Sequence, residues 1–304
     1  MRVCVVGAGS IGSLLAGHLA TVTDVVVLTR RAEHARALNE DGLRVSGRHD
    51  FTARVTAASD PRDVPDFDLG IVATKANEVE AAAESLGGRF AGTTMMTVQN
   101  GLGAEEIMRA HGDWPLVSAV TFMSGTKHSD SHVEYILDTP TWLGPYGDTP
   151  FARVQEIAQL LVDSGLKAEA LPDLLPAQWS KLIFNATVNG VAALTGLPHD
   201  EHFAAEDELG DLGHLVHELV EEGKRVAAAA GVELHDDPWE MNVLATKRGS
   251  AHYPSMLEDV DARRPTEAEL INGALVREAG RYGVEAPLQT AVYRLVKARE
   301  ASYL

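Results

Sequence analysis

Cysteine is almost missing: Cys4 is the only one in 304 residues. That count excludes a disulfide scaffold and any zinc site built on several thiolates. Cys4 sits inside the first apolar run, where a buried thiol is expected. Positive charge is scarce as well. Lysine and arginine number 26 against 44 aspartates and glutamates, a formal net charge of -18. This balance speaks against a uniformly basic face for nucleic acid and describes an acidic, solvated surface. No apolar run approaches the roughly 18 residues that a membrane-spanning helix needs. From Met1 the chain runs straight into a strand pattern, with no separate apolar segment and cleavage site. A cytoplasmic protein with no membrane partner is expected. Internal repeats and low-complexity linkers are also missing.

What is present is an alternation. Short apolar runs at 3–6, 25–29, 69–74 and 93–98 read as strands. Stretches at 10–20, 33–39, 78–86 and 104–110 read as helices. Strands alternating with helices predict a mostly parallel, doubly wound sheet. Residues 116–143 are β-rich, 151–164 helical, and 166–171 a last strand. Beyond Pro172 the texture becomes helical, over 173–194, 206–230, 237–247, 267–282 and 287–302. The expected fold is α/β, with a Rossmann-type domain over 1–172 and an all-helical domain over 173–304, packed together around a cleft.

The first strand runs into Gly7-Ala8-Gly9-Ser10-Ile11-Gly12, which opens a helix. That context turns a weak GxGxxG match into a strong dinucleotide fingerprint. Gly7 permits the tight turn, Gly9 lets backbone approach a pyrophosphate, and Gly12 lets helix pack closely on strand. The end of the second strand selects the cofactor. NAD binders place a carboxylate there for the ribose 2′-hydroxyl; this chain has Arg30 and Arg31. A guanidinium binds a 2′-phosphate through charge-assisted hydrogen bonds, so NADPH is expected. Arg30 is the first choice for that contact and Arg31 the alternative. An acidic chain that binds anions must concentrate such residues locally. Lys75 and Asn100 follow two further strands, where open α/β sheets hold ligands.

In the helical half, Lys181, Asn185 and Asn189 recur at every fourth residue, one slowly drifting stripe on an otherwise apolar helix. Such a stripe must face water, a partner or a ligand, because unpaired buried amides are costly. Glu267 stands just after Thr266, where a helix could begin, and a glutamate suits the first turn of a helix.

Taken together, these segments resemble ketopantoate reductase (2-dehydropantoate 2-reductase) over nearly the whole chain. The resemblance rests on GAGSIG at the start, TKANEV around Lys75, VQNGLG around Asn100, WSKLIFNATVN around Lys181, PSMLEDV around Ser255 and RPTEAELINGALVREAGRYGVEAP near the end. It implies hydride transfer from NADPH to the 2-oxo carbon of ketopantoate, giving pantoate for pantothenate and coenzyme A synthesis. It implies Lys181 as general acid and Glu267 as the residue that assists substrate binding and orders the lysine, on the cofactor side of the site as well. Asn185, Asn189 and Ser255 match substrate-contacting positions. Asn100 and Lys75 match cofactor-side positions, and Asn100 borders the substrate too. No metal is implied, and the histidines show no compelling ligand cluster. Departures from the family pattern fall at His199 and at Ala251-His252, and they bear on which oxoacid is reduced. The other readings are a paralogue acting on another 2-oxoacid or an imine, and a non-catalytic NADPH sensor, which would need neither Lys181 nor Glu267. The oligomeric state stays open, a homodimer being one option.

Overall fold

The computed structural model describes residues 1–205, 209–247 and 253–304. β1 (Arg2–Val6) runs from one exposed residue into four buried ones, as a strand covered on both faces does. α1 (Ser10–Leu19), β2 (Asp24–Leu28) and α2 (Ala32–Asp41) follow. Three short strands come next, β3 (Leu43–Gly47), β4 (Phe51–Ala53) and β5 (Thr56–Ala58). The alternation resumes with β6 (Leu69–Val72), α3 (Val79–Leu86), β7 (Thr94–Thr97), α4 (Ala104–His111) and β8 (Leu116–Thr121). β9 (Ser124–Ser129) and β10 (His132–Leu137) make a hairpin, and β11 (Thr141–Tyr146), α5 (Phe151–Asp163) and β12 (Ala168–Ala170) complete the α/β part.

Among the described residues these strands form two sheets. The larger has the order β12-β11-β8-β7-β6-β1-β2-β5. β1 pairs in parallel with both β2 and β6, and β11 is antiparallel to β8. The order moves outward from β1 in both directions. The carboxyl end of β1 is therefore the switch point at which such sheets bind ligands. Cys4 lies fully buried in this strand, and burial pushes its thiol up to about 12, as expected of a core cysteine rather than a nucleophile.

In the smaller sheet, β4-β3-β10-β9, the strands β9 and β10 fall in the β-rich stretch expected over 116–143, whereas β3 and β4 have no counterpart in the sequence reading. The strands are short, and β3 pairs in parallel with β10, some ninety positions away. This sheet lies on α1. A Cβ on Gly17 would stand 2.7 Å from Val45 Cγ2, and one on Gly125 would stand 2.9 Å from Leu14 Cδ1. With one sheet on each side, α1 is buried from Gly12 to Leu19.

The remaining helices are α6 (Leu175–Thr195), α7 (Asp211–Ala229), α8 (Pro238–Thr246), α9 (Ser255–Asp261), α10 (Asn272–Tyr282) and α11 (Pro287–Ala301). Apart from the stripe Lys181, Asn185 and Asn189, α6 is largely apolar, and it is buried along most of its length. Glycines let its neighbours close in: a Cβ on Gly223 of α7 would lie 2.6 Å from Ile183 Cγ2, and one on Gly190 would lie 2.5 Å from Val292 Cγ1 of α11. The buried Glu222 accepts from the backbone N–H groups of Leu288 and Gln289, satisfying donors that the start of α11 leaves over.

The helical stretch expected over 267–282 begins only at Asn272. Residues 267–271 are turns closed by Ile271 N–H to Glu267 O, and Ile271 itself, at φ -100 and ψ -86, breaks the helical path. Glu267 therefore does not sit in the first turn of a helix. α9 was not anticipated. Of the helix expected from 206, the described part starts at Asp211, and residues 206–208 lie outside the described residues. By compactness the chain divides into one unit of 1–99 with 104–174 and another of 100–103 with 175–304. The break thus falls at 174/175 instead of 172/173, and a short inner segment groups with the helices. Leu174 stays with the first unit because its Cβ closes over Gly144. Among the described residues no helix is long and apolar enough to cross a membrane.

Candidate active site

In the first unit, the fingerprint loop is shaped by what its glycines exclude. Gly7 has φ +97, and a Cβ there would approach Thr74 N to 2.9 Å; a Cβ on Gly12 would meet Gly7 O at 2.0 Å. Both positions require glycine. Gly9 differs: a Cβ there would meet nothing within 4 Å. Open space thus stands over the residue before α1, and no side chain caps that helix. The N–H groups of Ser10, Ile11 and Gly12 head the helix and present a positive dipole end there. A diphosphate fits this loop. Ala8, between the two outer glycines, is buried.

The two arginines at the end of β2 take different partners. Arg30 is 82% exposed and pairs with Glu78 at 2.7 Å. Arg31, the residue before α2, pairs with Asp130 at 2.5 Å. Both guanidiniums are accessible. Lys75 is exposed three residues beyond β6 and precedes a short 3-10 turn. Gln99 ties two strand ends together, its Nε2 donating to Val72 O at 2.8 Å and to Thr74 O at 3.0 Å. The sequence reading did not single it out, since a glutamine after a strand carries no motif.

In the second unit, the stripe on α6 is buried: Lys181 is 8% exposed, Asn185 7% and Asn189 5%. An ordinary solvent-facing stripe is ruled out. Burial pulls the Lys181 ammonium down from 10.5 to about 8, against the negative charge of Glu267, which holds it up. Asn185 Nδ2 donates to Asn100 Oδ1 at 3.5 Å, and Asn100 Nδ2 donates to Glu267 Oε2 at 3.3 Å. Lys181, Asn185, Asn100 and Glu267 thus form one polar island inside an apolar helical core.

Asn100 reaches this island because its segment is pinned to the turn that carries Glu267. Leu102 N–H donates to Leu270 O at 3.0 Å. Gly101 has φ +95, and a Cβ there would lie 1.8 Å from Leu270 O, so that approach is open to glycine alone.

One turn further along α6, Asn189 accepts from Met256 N–H at 3.4 Å and so holds the start of α9, where Ser255 is exposed. Asn189 and Ser255 are thereby neighbours, while the Asn100–Glu267 link runs through Asn185. Asn272, which the sequence reading passed over, is fully buried and donates to Ala186 O at 2.6 Å, clamping α10 to α6. His199 is buried between rings, 6.0 Å from Phe184 and 5.2 Å from Phe203. Ala251 and His252 lie outside the described residues.

Residues 3–148 match the family model of ketopantoate reductase PanE/ApbA, and residues 173–300 match that of the ketopantoate reductase PanE/ApbA C terminal. A 2-dehydropantoate 2-reductase from Halobacterium salinarum is 32% identical over 303 residues, covering 98% of both chains. The crystal structure of 2-dehydropantoate 2-reductase from Methylococcus capsulatus is 27% identical with a TM-score of 0.87, over 100% of this chain and 98% of the other. The complex of D-mandelate dehydrogenase with NADH is 25% identical with a TM-score of 0.86, over 100% of both chains. The matches run through both the glycine loop and the lysine helix, and the chain belongs to the ketopantoate reductase family.

Proposed function

We propose that this chain is an NADPH-dependent reductase of ketopantoate that yields pantoate for pantothenate and coenzyme A synthesis. The observation that carries the reading is the buried Lys181, brought to about 8 and set beside Glu267 in an otherwise apolar core. A buried ammonium is costly to keep, which argues for a role, and a pKa near neutrality is what a general acid needs. In this reading 1–172 binds the cofactor and 173–304 binds the oxoacid. A nicotinamide cofactor is supported by the glycine loop and by the NADH-bound dehydrogenase of similar structure. Arg30 and Arg31, standing where NAD binders carry an acid, favour the 2′-phosphorylated form.

The bound cofactor supplies a hydride to the 2-oxo carbon. Lys181 stabilises the charge that develops on the carbonyl oxygen and gives it a proton. Glu267 keeps Lys181 cationic in the resting site and accepts a hydrogen bond from a substrate hydroxyl. Asn100 and Asn185, linked to one another, orient the reacting groups, with Asn189 and Ser255 on the substrate side and Lys75 on the cofactor side. The reading is tested by NADPH oxidation with ketopantoate, beside a panel of 2-oxoacids and a Lys181→Ala control. Turnover that prefers ketopantoate and collapses in the control is expected; no turnover on ketopantoate with NADPH binding intact overturns it.

A second reading, another 2-oxoacid on the same machinery, draws on two observations. One structural neighbour is a D-mandelate dehydrogenase. His199, a departure from the family pattern, packs on Phe184, three residues beyond Lys181. The same panel separates the two readings.

A further inference from the structure

The hairpin β9–β10 brings a second set of charges to the fingerprint loop. It rides on α1 through the close approach at Gly125, so that Lys127 of β9 reaches the head of that helix. Lys127 Nζ donates to Ala8 O at 3.0 Å, inside the glycine fingerprint. The same Nζ lies 3.1 Å from His34 Nε2 and 3.3 Å from Asp130 Oδ1. Asp130 Oδ1 is also 2.5 Å from Arg31 Nη2 and 3.8 Å from His34 Nδ1. One carboxylate oxygen thus has nitrogen groups from Arg31, Lys127 and His34 around it. A phosphate oxygen seeks the same surroundings. His34 is deeply buried and Lys127 three-quarters buried, whereas the Arg31 side chain is 57% exposed, so the cluster has a closed back and an open mouth.

We propose that Lys127 selects the cofactor: with Arg31 it forms the seat of the ribose 2′-phosphate, and Asp130 is a tethered anion that the phosphate displaces. The proposal rests on the reading of NADPH as cofactor and adds to it residues from outside the strand–turn–helix motif. Arg30, paired with Glu78 on the other side, is the lesser contributor. Charge bookkeeping agrees. Two cations face one carboxylate, so the cluster keeps a positive charge for an incoming dianion. Burial lowers the pKa of Lys127 and Asp130 restores part of it. For His34, burial and then Lys127 push its pKa down, against Asp130. A dianion at the mouth favours the charged form of both.

The test is calorimetric and needs no turnover: titration of the full chain with adenosine 2′,5′-bisphosphate and, separately, with 5′-AMP. The wild type is expected to prefer the bisphosphate. Lys127→Met weakens the bisphosphate about tenfold relative to 5′-AMP, Lys127→Arg keeps most of the preference, and Asp130→Asn raises it a few-fold, roughly one charge-assisted contact in each case. If Lys127 merely supports the Ala8 carbonyl, Lys127→Met weakens both ligands alike, because both use the loop, and the proposal falls. An unchanged preference in a folded Lys127→Met protein also overturns it while leaving the NADPH reading intact. A wild type with no preference overturns the NADPH reading and the proposal together.

Discussion

The two units solve the problem of holding a polar group in opposite ways. The first unit offers backbone to its candidate diphosphate. Gly7, Gly9 and Gly12 contribute nothing but shape, and the donors are the N–H groups at the head of α1. The second unit offers its candidate ligand side chains withdrawn from water at a cost: the buried Lys181 and Asn185 and the half-buried Asn100 and Glu267. A backbone site tolerates many neighbours and is written in consecutive residues. A side-chain site depends on distant segments meeting, and each buried polar group must find a partner there.

That contrast is broken or sharpened by substitutions on each side, taken from the largest effect down. Lys181→Ala should lower kcat/KM by about 10³-fold, while fluorescence titration shows NADPH binding kept. Loss of both would mean that the second unit also holds the cofactor. Next comes a pair of glycines. Gly12→Ala places a Cβ 2.0 Å from Gly7 O, and Gly101→Ala places one 1.8 Å from Leu270 O. Gly12→Ala should weaken NADPH by about tenfold or more, and Gly101→Ala should raise KM for the oxoacid by a similar factor, the loop shifts costing about 1–3 kcal/mol each. If both variants lose the same ligand, the division of labour is wrong.

A smaller effect appears in the pH profile. The acid must hold its proton, so kcat/KM should be flat below pH 8 and fall about tenfold per pH unit above it, following the lowered Lys181. Glu267→Gln removes the anion that holds that lysine up, and the falling limb moves to lower pH by roughly half a unit to one unit. A limb that stays in place assigns it to another group. The smallest effect is none: iodoacetamide at neutral pH should leave activity intact, since Cys4 is fully buried with its thiol pushed up to about 12. Rapid inactivation would contradict the closed core around β1.

The same contrast explains what the sequence disclosed. The loop Gly7–Gly12 was legible because its shape is set by consecutive residues. The stripe Lys181, Asn185 and Asn189 was legible because helical periodicity aligns residues four apart, and burial then distinguished it from a solvent face. The smaller sheet was legible only in part: β9 and β10 lie in the stretch read as β-rich, while β3, β4 and the pairing between the two halves were not read. β3 and β10 lie far apart in sequence and are too short to show alternation above background. Nor was the company of Arg31, since Asp130 and Lys127 belong to that sheet's hairpin. Glu267 was expected in a helix on the strength of the residues around it. Tertiary bonds decide otherwise: Thr266 N–H donates to the buried Glu300 at 2.7 Å, and the chain turns before α10 begins. Asn100 was taken as part of the strand-end pattern of the first unit, whereas the backbone bond from Leu102 to Leu270 carries its segment to the helices.

That last segment has a consequence for anyone exchanging modules between relatives. A chimera cut at 174/175 looks like a clean swap of halves. It would nonetheless pair Asn100–Gly103 from one parent with the Leu270 turn from the other, and a mismatch at Gly101 has no room to relax. Four residues in the middle of the α/β half must therefore travel with the helices, so the heritable module is discontinuous even though the chain is not.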